Sequence, residues 1–198
     1  MATAKLNLPS IRSKILGSKV TKYKVFDIAS KRVEEEKQVF ISELKSHPVS
    51  VEISAGPNAS NLSGTLGGRG NLFSFIGFNK SEADPIANVF DLIKKIRVLK
   101  KVTNTKKGFA ATVSVPTLGD FSNITRMPWE SGRSWLLDIE KRISGLGYYL
   151  SGNFKKSRSG TGIQADGVVS NAQFRPVKYF KTMYNTFIRN IKNESRIS

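Results

Sequence analysis

The feature that most limits what this chain can fold into is a change of hydrophobic period at His47-Pro48. Upstream, from about Val25 to Ser46, the residues Val25, Ala29, Val33, Phe40 and Leu44 fall near one face of a helix, and Glu34, Glu35, Glu36 and Lys37 fall elsewhere. A residue before proline is pushed out of the α region, so this helix is expected to stop there. Downstream, Val49, Val51 and Ile53 alternate with Ser50, Glu52 and Ser54, which predicts a half-buried strand.

Residues 54–70 (SAGPNASNLSGTLGGRG) are turn formers and read as a long loop. Residues 71–78 (NLFSFIGF) are apolar enough to read as a buried strand or a packed hook. Asp84-Pro85 opens a helix with proline at its first position, and Ile86, Val89, Phe90 and Ile93 give it an apolar face as far as about Lys95. Residues 97–103 and 109–115 read as the strands of a hairpin joined by the basic turn NTKKG. Between Ser134 and Arg142 two patterns compete: Trp135, Leu137 and Ile139 fit a strand, whereas Trp135, Ile139 and Ile143 fit a helix. Aromatic and β-branched content favours the strand. Residues 151–173 read as a flexible loop or hairpin tip, and 175–191 as a helix with Tyr179, Met183, Phe187 and Ile191 on one face. The expected fold is therefore α+β: a small antiparallel or mixed sheet flanked by an N-terminal and a C-terminal helix, with long loops. A basic arm is expected over 1–24 and a single domain over 25–198, with extended loops at 54–70 and 151–173.

Of 198 residues, 39% are apolar, which is enough for a real core. There are 32 basic residues against 15 acidic ones, a net charge of +17. So large a charge repels itself in a compact monomer and favours an anionic partner: nucleic acid, an acidic protein surface or anionic lipid. Lys94, Lys95, Arg97, Lys100, Lys101, Lys106 and Lys107 lie in one acid-free run, Lys155, Lys156 and Arg158 form a second cluster, and Lys178, Lys181, Arg189 and Lys192 decorate the last helix. The first two clusters are candidate contacts for nucleic acid or an acidic partner, with Lys95, Arg97 and Lys101 on one strand face; the plain alternative is a solvated surface. Residues 1–25 carry six Lys/Arg and no acid, with Leu6, Leu8, Ile11, Ile15 and Leu16 spaced for one helical face. That pattern fits an arm that orders on a partner, or an organellar transit peptide. No apolar run approaches the ~20 residues that span a bilayer, so no membrane partner is expected.

The chain offers little for catalysis. It has no cysteine and one histidine, His47, so no zinc site can be completed, and a helix-end role is expected for His47. The segment GTLGGRG (64–70) lacks the strand before it, the helix after it and the Lys-Ser/Thr of a nucleotide-binding loop, so it reads as a structural turn. Glu130, Asp138 and Glu140 sit near Arg126, Arg133, Lys141 and Arg142, which suggests surface pairing rather than an acid/base pair. No catalytic, cofactor-binding or metal-binding residue is expected, and the chain is not expected to be an enzyme.

Residues 126–164 hold both tryptophans, two adjacent tyrosines and a basic cluster. Pro128 and Gly132 suggest a rigid turn between Trp129 and Trp135; with Trp135 in the core, Trp129 becomes the interface candidate. Taken with ELKSHPVSVEISAG (43–56), GTLGGRGNLFSFIGF (64–78), PWESGRSWLLDIEKRISGLGYYL (128–150) and SRSGTGIQ (157–164), the chain resembles structural proteins at the head–tail junction of tailed bacteriophages: neck, head–tail adaptor and tail-completion proteins. The resemblance covers about residues 25–192 and implies a non-enzymatic virion protein, assembled in the host cytoplasm. It would join the portal or adaptor side of the head to the terminator or sheath side of the tail. Such proteins form closed rings with copies of themselves, commonly of about six or twelve. Their loops and arms order on docking, which here implies the N-terminal arm, 54–70 and 151–173. Phe73, Phe75 and Phe78 in the hook and Trp129 and Arg133 in the turn are candidate protein contacts, and Tyr148 and Tyr149 are candidates for either an interface or core packing. DNA channels in such junctions are often acidic and this chain is basic, so its positive face meets either an acidic neighbouring ring or the DNA end. The rival reading from charge is a nucleic-acid-binding protein of organellar ribosomal or nucleoid type.

Overall fold

A computed structural model describes residues 8–68, 70–81, 84–105, 108–128, 130–143 and 174–193. Helix α1 (Leu8–Gly17) leads into α2 (Lys19–Ser46), followed by α3 (Pro48–Ser54), a 3-10 turn (Gly56–Asn58), α4 (Leu72–Ile76) and α5 (Ala87–Lys94). Strands β1 (Arg97–Thr105) and β2 (Gly108–Ser114) come next, then α6 (Leu118–Ile124), β3 (Arg126–Met127), β4 (Glu130–Ser134), α7 (Trp135–Asp138) and α8 (Phe180–Asn193). The fold is α+β, with the antiparallel β1–β2 pair as its main sheet and β3–β4 as a second small antiparallel pair.

The long helix is the spine. Its inward stripe of Val33, Phe40 and Leu44 is buried, and Phe40 stacks on Phe187 of α8 at 5.4 Å and meets Phe180 at 5.8 Å. Lys37, expected off this stripe, is buried instead; its ammonium pairs with Glu34 and donates to the Ile96 carbonyl at 3.4 Å, tying α2 to the start of β1. The helix begins earlier than expected. Ser18 accepts from the Thr21 N–H as N-cap, so α2 starts at Lys19 and the expected boundary between residues 24 and 25 falls inside it.

Pro48 stops α2 as expected but also starts the next element. His47 is extended, its Nδ1 accepts the Val49 N–H at 3.2 Å, and Pro48 occupies the first turn of α3. The expected strand at 49–54 is therefore a helix. Buried Val49, Ser50, Glu52 and Ile53 follow helical spacing, while Val51, an intended core residue of the strand, is 41% exposed. Residues 71–78 are packed as expected but form a short helix rather than a strand or loop: Asn71 caps α4 by accepting from the Ser74 N–H at 2.9 Å, and Gly77 ends it at φ 84°.

The hairpin lies where the sequence places it, with a bulge. Val98 pairs with Val113 and Val102 with Ala111, so Leu99, Lys100 and Lys101 stand opposite Thr112 alone. Thr117 and Asp120 form a capping box that starts α6, an element the periodicity reading missed. The expected strand at 134–142 is a short helix. Ser134 caps α7, and Trp135, Ile139 and Ile143, one helical turn apart in sequence, are all buried. The closing helix α8 buries Phe187 and half-buries Met183 and Ile191, matching the expected face.

Candidate anion-binding groove

Two acid-free stretches of the chain meet on one open face. The first runs from α1 through the start of α2, and the second runs from Leu92 to Gly119 and contains the hairpin. Helix α2 packs against both hairpin strands, and Phe26, Ala29, Ala111 and Val113 on these elements are half-buried against the core. Beside that contact a groove of about 490 Å3 is lined by Lys19, Lys22, Tyr23, Phe26, Lys100, Lys101 and Val102. No acid lines it.

Local geometry explains why four lysines converge here. The β1 bulge gives Lys100 and Lys101 both an exposed position, which a regular strand would not do for adjacent residues. Lys19 and Lys22 occupy the first turn of α2, which holds no acid. A helix N-terminus carries partial positive charge, so cations there are unfavourable by a few tenths to about 1 kcal/mol each. Tyr23 stands among these lysines and is 71% exposed. Among the described residues none of the four lysines is in an ion pair. The groove thus concentrates positive charge beside an exposed ring, with no counter-charge among the described residues that line it.

The other expected contact residues go elsewhere. Lys94 pairs with Asp91 at 2.9 Å, and Lys95 is the C-cap of α5, so Lys95 does not share a strand face with Arg97 and Lys101 as expected. Arg97 is exposed at the start of β1. Phe73, Phe75 and Phe78 are not an exposed contact hook: they are 5%, 9% and 5% exposed. Phe73 packs on Phe78 at 5.4 Å, Phe78 meets the Trp135 edge at 5.5 Å, and Phe75 stacks on Phe174 at 5.8 Å. Burial of apolar surface simply outweighs its display. Arg133 is half-exposed and its Nε donates to Asp138 at 3.0 Å. Trp129, Tyr148, Tyr149, Lys106, Lys107, Lys155, Lys156 and Arg158, together with the expected loop over 151–173, lie outside the described residues.

The glycine-rich loop is built around a carboxylate of the protein itself. Glu52 is fully buried and accepts from the Leu72 N–H at 2.7 Å, the Ser63 N–H at 2.8 Å and Asn61 Nδ2 at 2.9 Å. Asn61 Oδ1 in turn accepts from the N–H groups of Leu66 and Gly68 at 3.0 and 3.2 Å. The Leu66 and Gly68 backbone donors of GTLGGRG are thus taken by a side chain of the protein itself. Glu140, expected to pair on the surface, instead receives the Tyr179 and Thr182 N–H groups at 3.0 and 2.9 Å and caps α8. Asp138 does pair, with Arg133 and with Lys141. His47 takes the expected helix-end role. Burial lowers its pKa, against a raising hydrogen bond to the Lys178 backbone and the charge of Glu140.

Among the described residues no group of His, Asp and Glu is placed to hold a metal ion, and no helix is long and apolar enough to cross a membrane. The groove residues Lys19, Lys22, Tyr23 and Phe26 were not singled out by sequence reasoning. The available signal was the acid-free N-terminal run, which was read as a separate arm. Comparison with family models, curated proteins and solved structures found no match.

Proposed function

We propose that this chain is a non-enzymatic structural protein of the head–tail junction of tailed bacteriophages, one that joins head to tail and docks through the basic groove. The observation that carries the docking element is the meeting of two acid-free basic runs on one exposed face. Four lysines with no ion pair among the described residues repel one another, and an assembly that supplies an anionic neighbour relieves that repulsion. The junction element rests on the sequence resemblance over about residues 25–192. Self-association into a closed ring, and contacts to the portal side and the tail side, belong to the same proposal.

The test is genetic. Blocking production of the protein during infection is expected to leave filled heads and finished tails unjoined. Normal numbers of joined, infectious particles would contradict the proposal.

A second reading has one observation in its favour. The exposed Tyr23 ring among lysines suits a basic nucleic-acid-binding protein of ribosomal or nucleoid type. Under that reading the protein sediments with host nucleic acid and not with particles.

A further inference from the structure

We infer that the anionic partner of the groove is single-stranded nucleic acid, with its phosphates on Lys19, Lys22, Lys100 and Lys101 and one unpaired base on Tyr23. This names the partner of the site proposed above and so rests on that site being a docking face, though not on where in a particle the protein stands.

Three observations carry it. The groove combines charge with an aromatic platform: the four lysines line it together with Tyr23, which is 71% exposed, while Phe26 and Val102 complete the apolar part of the lining. An acidic protein surface would meet the same charges, and the polyglutamate competitor below separates it from a nucleotide strand. A nucleotide strand uses both the charges and the ring, because its phosphates alternate with flat bases that stack on aromatic side chains. Second, Lys100 and Lys101 sit on a bulge and Lys19 and Lys22 on the facing helix turn, so cations flank the ring from two elements. A strand lying between them meets positive charge on both sides. Third, stacking on Tyr23 requires a base that is not already stacked and paired, which selects unpaired nucleic acid over a duplex. Asp27, the next acid along α2, is not among the residues that line the groove.

The experiment is fluorescence anisotropy on the full chain with a labelled oligothymidylate of about 16 nucleotides, a site-sized probe for one module. It is run against salt, with a duplex of equal length and polyglutamate as competitors. Tyr23→Ala is expected to weaken binding about 5- to 150-fold, the value of one stacked base, while Tyr23→Phe keeps it. The combined change Lys19→Gln, Lys100→Gln and Lys101→Gln is expected to flatten the slope of log affinity against log salt by about 2, at about 0.7 per phosphate. Each altered side chain is exposed, and a circular-dichroism melt of every variant confirms folding before binding is read. Unchanged affinity in Tyr23→Ala, an equal preference for the duplex, or displacement by polyglutamate at equal charge would each overturn the inference. None of these results bears on whether heads and tails fail to join without the protein, so the two proposals fail separately.

Discussion

The Glu52 carboxylate lies 2.7 Å from the backbone nitrogen of Leu72, and it is fully buried. Through this contact and those to Ser63 and Asn61, one side chain of α3 fixes the glycine-rich loop and the start of α4. Replacing Glu52 with Ala would leave the buried Leu72 N–H and the part-buried Ser63 N–H without this acceptor. At roughly 1–3 kcal/mol for each unsatisfied group, the expected loss is about 3 kcal/mol or more. For a chain of this size that lowers Tm by about 6–12 °C. A thermal melt checks it, and a shift under about 2 °C would contradict the role assigned to Glu52.

Phe78 separates core from interface. Its ring meets Trp135 edge-on at 5.5 Å and is 5% exposed. Phe78→Ala is expected to cost about 3–5 kcal/mol through lost burial and the cavity left behind. The change reads out as lower stability of the isolated protein in a denaturant titration. A fully stable variant defective only in assembly would return Phe78 to the contact surface.

Glu140 caps α8 from outside the helix, accepting from Tyr179, Thr182 and the Thr182 hydroxyl. Glu140→Ala is expected to cost about 1–2 kcal/mol, the range of a lost N-cap. Hydrogen exchange should quicken first at the Tyr179 and Thr182 amides. Unchanged exchange there would contradict the capping role.

His47 gives a pH dependence with a definite sign. Burial holds its folded pKa below the ordinary 6.5, so the folded protein binds fewer protons than the unfolded chain. Its contribution is complete above the ordinary value and is lost as pH falls through 6.5 toward the lowered folded value. Stability is therefore expected to fall between neutral pH and mildly acidic pH, and His47→Asn, which keeps a capping side chain, should flatten that fall. Identical slopes in the two proteins would contradict the assignment.

The fold was legible where one physical effect decided an element alone. The α2 stripe ending at Pro48, the hairpin and the α8 face follow from periodicity and proline sterics. Reading failed where a distant partner decided. The alternation at 49–54 requires Glu52 to face outward, yet donors from residues 61, 63 and 72 make its burial favourable. Trp135, Ile139 and Ile143 obey helical spacing, but the β-branched content around them argued against it. The site was legible as charge and not as geometry. Lys100 and Lys101 stood out in sequence, whereas the bulge that exposes both and the α2 turn that faces them arise from packing between distant segments.

The most direct measurement is to label the protein with a gold-tagged antibody and image particles from a lysate in which it is made. Gold confined to the head–tail junction is the predicted result. Gold absent from particles, with the protein recovered on host nucleic acid, would contradict the structural role and leave the nucleic-acid-binding reading in its place.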